Sequence, residues 1–250
     1  MLKTFSGIIS LFVILNSYSL VYAQSIGFGC FGFVSGFGGY SWQSFEPGNL
    51  KYYGNELRSE PGLITDPRFD EFGHAKGFRV GLNFFRAKFS GFFLSTKGYY
   101  QVLTEKKDIN ISGTYPNVEY DLDLKSWGLG VDVGIPITTY LNWKILDTEL
   151  NFNSARFKRT INQVGNTSVV RFNNDAPDVG YSIGTGFIVY LIEGYVSIEG
   201  TAGYTLMKIE RMEDDEGNNF LGENYSGDET DFIKGGGFRA LLQLNVGFPL

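Results

Sequence analysis

The chain has 250 residues, a formal net charge of −6, one cysteine and one histidine. No basic patch is present, which argues against nucleic acid as a partner. A lone cysteine excludes an intrachain disulfide framework, and no zinc-ligand spacing or phosphate-binding Gly loop occurs. Glycine (33 residues) is about twice its average usage, and aromatics reach 16%. Such a mixture suits strands with one crowded face better than helices.

The N-terminus reads as an export signal. Lys3 supplies the positive end, Ile8 to Leu15 form an apolar core too short to span a membrane as a helix, and Val21-Tyr22-Ala23 precede a cut at Gln24. Residues 1–23 are therefore expected to be removed, leaving 24–250 as one domain. The first strand-like run, Ile26 to Ser44, is rich in Gly and Phe. Its phase shifts between Phe37 and Tyr40, and Gly38-Gly39 predicts a bulge there. Cys30 within it reads as a small buried hydrophobe.

After a connection holding Pro47, Pro61 and Pro67, the second run, His74 to Phe85, sets Phe78, Val80, Leu82 and Phe84 against Arg79, Gly81 and Asn83. A turn near Arg86-Ala87 leads to the third, Lys88 to Leu103, with Phe92, Leu94, Tyr100 and Val102 opposite Ser95, Lys97 and Gln101. Thr104 to Glu119 reads as a polar connection. The fourth run sets Trp127, Leu129, Val131, Val133 and Ile135 against Ser126, Gly128, Gly130, Asp132 and Gly134, and Pro136 ends it. In the fifth, Leu146, Thr148, Leu150 and Phe152 alternate with Asp147, Glu149, Asn151 and Asn153. Leu141 and Trp143 are out of phase, so either a bulge lies near Ile145 or the early part sits outside a membrane.

Lys158 to Asp178 reads as a second polar connection. The sixth run opposes Tyr181, Ile183, Phe187 and Val189 to glycines and Ser182, and the seventh opposes Val196, Ile198, Ala202, Tyr204 and Leu206 to Ser197, Glu199, Thr201 and Thr205. Met212 to Asp231 is an acidic connection containing Glu213, Asp214, Asp215, Glu216, Glu223, Asp228, Glu229 and Asp231. It lacks the spacing of a calcium loop and reads as solvated. The eighth run ends the chain: Phe238, Ala240, Leu242, Leu244, Val246 and Phe248 share one face, Arg239, Gln243, Asn245 and Gly247 the other.

Long connections follow runs one, three, five and seven, and short ones follow two, four and six. Short turns at one rim and long loops at the other are the asymmetry of outer-membrane barrels. The fold expected is an all-β, closed, antiparallel up-and-down barrel of about eight strands, because backbone groups in hydrocarbon must all be paired within the protein. Its apolar stripes would face lipid. Six charged side chains would then point into the lumen: Arg79, Lys97, Asp132, Glu149, Glu199 and Arg239. In a barrel this narrow they would form a plug rather than line a pore. Tyr40, Trp42, Tyr99, Tyr100, Trp127, Trp143, Tyr190, Tyr195 and Tyr204 would form interfacial girdles.

Period two also fits a soluble secreted or periplasmic barrel, with the stripes turned inward around an apolar ligand. The small and charged residues on the second face, the aromatics near strand ends and the loop asymmetry favour the membrane. A third reading, a lipid A-modifying enzyme, needs a base and a nucleophile in contact. His74, with Ser90 or Ser95, would have to supply them. No enzymatic activity, cofactor or metal is expected.

The pattern resembles the small OmpA/OmpX-like outer-membrane β-barrel family across the whole chain after residue 23. The resemblance implies an integral, monomeric protein of the outer membrane with a structural or surface-interaction role. Its partners would be membrane lipids, a surface ligand reached through the loops, and the barrel assembly machinery. In that family the last strand is the assembly signal, which maps onto Phe238, Leu242, Leu244, Val246 and Phe248, although here Pro249-Leu250 follow the aromatic. No periplasmic peptidoglycan-binding domain is expected.

Overall fold

A computed structural model describes residues 25–27, 35–51, 72–89, 91–109, 117–163, 166–174, 176–193, 195–220 and 230–247. The expected signal segment 1–23, Cys30, Ser90, Glu223, Asp228, Glu229 and Phe248 lie outside these described residues. Eleven strands are present: β1 Ser25–Gly27, β2 Ser35–Pro47, β3 His74–Lys88, β4 Phe93–Ile109, β5 Asn117–Pro136, β6 Leu141–Gln163, β7 Asn166–Asn173, β8 Asp178–Ile192, β9 Val196–Leu206, β10 Glu213–Asp214 and β11 Ile233–Gly247.

Eight of them close. Each of β2, β3, β4, β5 and β6 pairs with the next, β6 pairs with β8, β8 with β9, β9 with β11, and β11 returns to β2. All are antiparallel, and closure is sealed by a ladder from Arg239↔Gln43 to Gly247↔Ser35. The chain is thus a closed eight-stranded up-and-down barrel. It has no open edge through its body, as hydrocarbon requires. β1 pairs with β3 below β2, at Gly27↔Arg86.

Side chains alternate across the wall. Phe78, Val80, Leu129, Val131, Ile183 and Leu242 all stand exposed on the exterior, Phe78 at 71% and Leu242 at 61%. Arg79, Asp132 and Arg239, their sequence neighbours, are buried inside. Such an exterior is stable against acyl chains rather than water. This is the side-chain pattern of a membrane-spanning barrel.

Three elements differ from the sequence expectation. No bulge occurs at Gly38-Gly39, since β2 pairs with β3 in unbroken register from Ser35↔Asn83 to Ser44↔His74. Phe37 instead points inward and is buried. It fits because its register partner is Gly81, where an added Cβ would lie 2.3 Å from the Phe37 ring. The same pairing recurs at Tyr99↔Gly128 and Phe93↔Gly134, where a Cβ would meet the ring at 2.7 and 2.4 Å. Tyr99 is therefore a lumen residue and not a girdle residue. Tyr190 also turns inward, where its hydroxyl accepts from Asn142 at 3.0 Å. Bulges lie between Asn83 and Phe85 on β3 and between Lys144 and Asp147 on β6, the second at the Ile145 phase break where a bulge was one of the two readings.

The second difference is strand length. Thr104 to Glu119 and Lys158 to Asp178 are not simple polar links. β4, β5 and β6 run for 17, 20 and 23 residues, against 11 for β9. Beyond Asn153, β6 leaves β8 and pairs with β7 through Arg156↔Asn173 to Gln163↔Asn166, and β10 adds to β7. A ribbon of sheet thus rises above the barrel at the loop end.

The third difference explains the second. Along β5 the inward residues read Val118, Tyr120, Leu122 and Leu124, then Ser126, Gly128, Gly130 and Asp132. The outward ones read Glu119, Asp121, Asp123 and Lys125, then Trp127, Leu129 and Val131. Phase is kept while polarity inverts. β6 inverts at the same height, where Lys125↔Ser154 and Ser126↔Asn153 are register partners. Above this line the apolar side chains turn inward, as in a water-soluble sheet. They pack with Leu50, Phe72, Met212, Phe220 and Phe232 from the connections into an apolar core. Phe157, fully buried, is its hub, with ring centres of Tyr120, Phe72, Phe220 and Phe232 between 5.3 and 6.1 Å away.

Candidate functional site

Within the barrel body the lumen is filled by charge. β3 contributes Arg79, β4 Lys97, β5 Asp132, β9 Glu199 and β11 Arg239, and β6 contributes Glu149 together with Lys144 and Asp147. All eight are buried, each 4% exposed or less. The set holds four cations and four anions, so the lumen carries no net charge from them.

The contacts form one continuous lattice. Lys97 Nζ lies 2.9 Å from Asp147, 2.9 Å from Glu149 and 3.1 Å from Asp132. Lys144 Nζ lies 3.1 Å from both Asp132 and Asp147 and also contacts Glu199. An ammonium has three donors, and each of these lysines faces three carboxylates. Arg79 Nη1 donates to Glu149 Oε1 at 2.8 Å and its Nε donates to Gln101 at 2.9 Å, while its guanidinium lies 3.8 Å from the Tyr99 ring centre. Arg239 donates to Asp147 at 3.0 Å and to the other oxygen of Glu149. A second tier of neutral groups surrounds the charges. Asn245 donates to Glu199 at 3.4 Å, Ser95 to Asp132 at 3.4 Å, and Asn151 to Ser182 at 2.8 Å.

Desolvating so many ions costs several kcal/mol each unless partners restore what water gave. Here the pairing is dense enough to do so, and it links strands that share no ladder. The six lumen charges expected from alternation all lie in this lattice. Asp147 stands beside Glu149 in the alternation but was left out of the expected set; Lys144 was missed because the bulge at Ile145 brings it onto that inner face. The phase break before Leu146 was the available signal, since a bulge predicts just such a change of face.

Each carboxylate of the lattice contacts at least one of its cations. His74 stacks on Trp42 at the loop rim, with ring centres 5.4 Å apart. Ser95 pairs with Arg86 near the opposite end of β3, so the two do not meet. No cluster of His, Cys, Asp or Glu suited to a metal occurs among the described residues. In the acidic connection, Asp214 closes a turn: its carboxylate accepts from the backbone amides of Glu216 and Asn218 at 2.9 and 2.8 Å, and Gly217 takes φ 84°. That carboxylate is spent on backbone rather than held open for an ion. On β11, Phe238, Leu242, Leu244 and Val246 stand exposed on the lipid side.

No family model matches the chain, and no curated protein matches its sequence. Among solved structures, Neisserial surface protein A aligns at 12% identity and a TM-score of 0.45, over 90% of this chain and 99% of that one. The attachment invasion locus protein Ail of Yersinia pestis aligns at 13% and 0.38, over 87% and 99%. The outer membrane protease OmpT of Escherichia coli aligns at 9% and 0.41, over 86% and 94%. Each score is below 0.5 and carries no weight of its own; the eight-stranded closure rests on this chain's own register.

Proposed function

We propose that this protein is an integral outer-membrane barrel with a structural or surface-interaction role, closed to solutes by its lumenal ions. Its loop end faces outward and its short turns face the periplasm. The carrying observation is the lattice around Lys97, Lys144 and Glu149, which joins opposite walls across a barrel too narrow to leave a pore beside it. A second seal supports the reading. The apolar core around Phe157 closes the lumen's loop end and holds the protruding ribbon in one shape, a firm base for contact with a surface partner. Membrane lipids are the standing partners, and β11 with its apolar outer face is the segment we assign to the assembly machinery.

The soluble ligand-binding alternative needs its apolar stripes turned inward around a ligand, yet the stripes face out along the barrel body. Planar-bilayer recording tests the proposal. The purified protein should give no stable conductance steps above leak, and large, lasting currents would overturn the closed lumen. Carbonate extraction tests the membrane assignment; release into the soluble fraction would overturn it.

A further inference from the structure

The exterior of the barrel is uneven along β2 to β5, where two recesses lie one above the other. The lower, of about 600 Å³, is cut into the apolar belt between Val80, Leu82, Phe84, Trp127 and Leu129, with Gly36 in its wall. The upper, of about 890 Å³, opens on the loop side of the belt; Tyr40, Phe78 and Val102 form its apolar edge, and His74, Lys76 and Lys106 its polar one. Register stacks them. Val80, Phe78 and Lys76 follow one another up the outer face of β3, beside Gly38, Tyr40 and Trp42 of β2 and Tyr100, Val102 and Thr104 of β4. Each step rises by about 7 Å.

The lower notch is not a packing necessity. Inward Gly81 is imposed by the Phe37 ring and the backbone oxygen of Gly98, but at Gly36, on the outer face, an added Cβ would meet nothing nearer than 3.8 Å. A larger side chain has room there, and its absence leaves a slot in a wall whose other outward side chains include Val80, Leu82, Tyr100 and Trp127. Lys76, Lys106 and Lys107 line the upper recess against one carboxylate, Glu105, while Asp121 and Asp123 stand beside it on β5. Lys76 has no ion pair among the described residues. Lys106, with its side chain 68% exposed, shares Asp121 at 3.1 Å. Glu105 is the carboxylate that lines the recess, and it is already used by Lys107 at 3.2 Å and by the amides of Gly73 and His74 at 3.0 Å each.

We propose that this face holds one anionic lipid of the loop-side leaflet, with its phosphate at Lys76 and Lys106 and an acyl chain in the Gly36 notch. The proposal rests on the membrane-barrel reading above. Cations alone attract any anion, and a notch alone accepts any chain. Stacked one above the other, they select a phosphorylated headgroup with its chain attached.

Native mass spectrometry of the detergent-solubilised full chain, titrated separately with phosphatidylglycerol, phosphatidylcholine and inorganic phosphate, tests it. Phosphatidylglycerol adducts should be retained at about tenfold lower concentration than phosphatidylcholine, and inorganic phosphate should not be retained. Lys76→Glu combined with Lys106→Glu should erase the preference, and Gly36→Leu should weaken phosphatidylglycerol binding without changing charge. Equal retention of the two lipids, phosphate binding as tight as the lipid, or indifference to either variant would overturn the site. If Gly36→Leu does not fold, the exposed lysine pair decides alone. A wild-type protein with no heat-modifiable gel form would overturn the barrel as well, whereas a heat-modifiable barrel without lipid preference would sink only this site.

Discussion

Arg79 on β3 donates to Glu149 on β6 at 2.8 Å, although β4 and β5 stand between those strands in the sheet. The bond crosses the lumen, so it resists ovalisation of the barrel in a way that neighbouring ladders do not. Arg239, arriving from β11 on the far side, takes the second oxygen of the same carboxylate.

Glu149→Gln should therefore be costly. It removes the carboxylate that Arg79 contacts and one of the two that Arg239 contacts, Asp147 being the other, and leaves the lumen lattice with a net positive charge. Breaking a buried pair by removing one partner costs about 3–5 kcal/mol. Urea unfolding in lipid vesicles measures it. A loss well under 1 kcal/mol would mean that water, not Glu149, satisfies the two guanidinium groups.

The inward aromatics make a separate prediction. Gly81→Ala places a Cβ 2.3 Å from the Phe37 ring, and overpacking of this kind costs about 1–3 kcal/mol. The same Cβ also meets the backbone oxygen of Gly98, so Phe37→Leu should recover only part of the loss, which a double-mutant cycle by heat-modifiable migration would reveal as partial coupling.

The loop-end core should fail independently of the barrel. Phe157→Ala removes the hub of the aromatic cluster, and a buried Phe→Ala change costs about 3–5 kcal/mol. The expected outcome is protease cleavage in residues 155–173 while the barrel still resists boiling-free denaturation by detergent. Collapse of the whole barrel would show that the two parts fold as one.

Asp121, on the outer face of the ribbon, carries a pH dependence. Partial burial pushes its carboxyl up, but hydrogen bonds and charge from Lys106 at 3.1 Å and Lys158 at 3.3 Å outweigh this and hold it below the usual carboxylate range. A depressed carboxyl stabilises the fold above its unfolded value of about 4, and that contribution is lost as pH falls through the folded value. Protection of the ribbon from proteolysis should drop below about pH 4, and Asp121→Asn should flatten the curve.

Leu242→Arg tests which side of the wall is which. Leu242 is exposed on the exterior near the middle of β11, where a basic residue facing lipid costs about 2–4 kcal/mol. Membrane insertion into vesicles should fall sharply. Normal insertion would contradict the lipid-facing assignment.

Much of this was legible from alternation alone. Period two located the eight barrel strands and put Arg79, Lys97, Asp132, Glu149, Glu199 and Arg239 on the face that the fold turns inward. What escaped has two physical sources. Lys144 joins Asp147 on the inner face only because the chain bulges at Ile145, and Phe37 and Tyr99 enter the lumen only because glycine stands on the adjacent strand; neither fact belongs to one strand read by itself. The protruding ribbon escaped because Thr104 to Glu119 and Lys158 to Asp178 read as polar connections, whereas Val118 to Leu124 turn their apolar side chains inward, opposite to the membrane segment.

That reversal at Lys125 and Ser126 fixes the depth of the molecule. Sliding the barrel one residue pair deeper would bring Lys125 and Asp123 toward the oil, and sliding it outward would bare Trp127 and Leu129 to water. Both displacements are resisted by the same few side chains, so immersion is set by residue identity along two paired strands, like a draught mark on a hull.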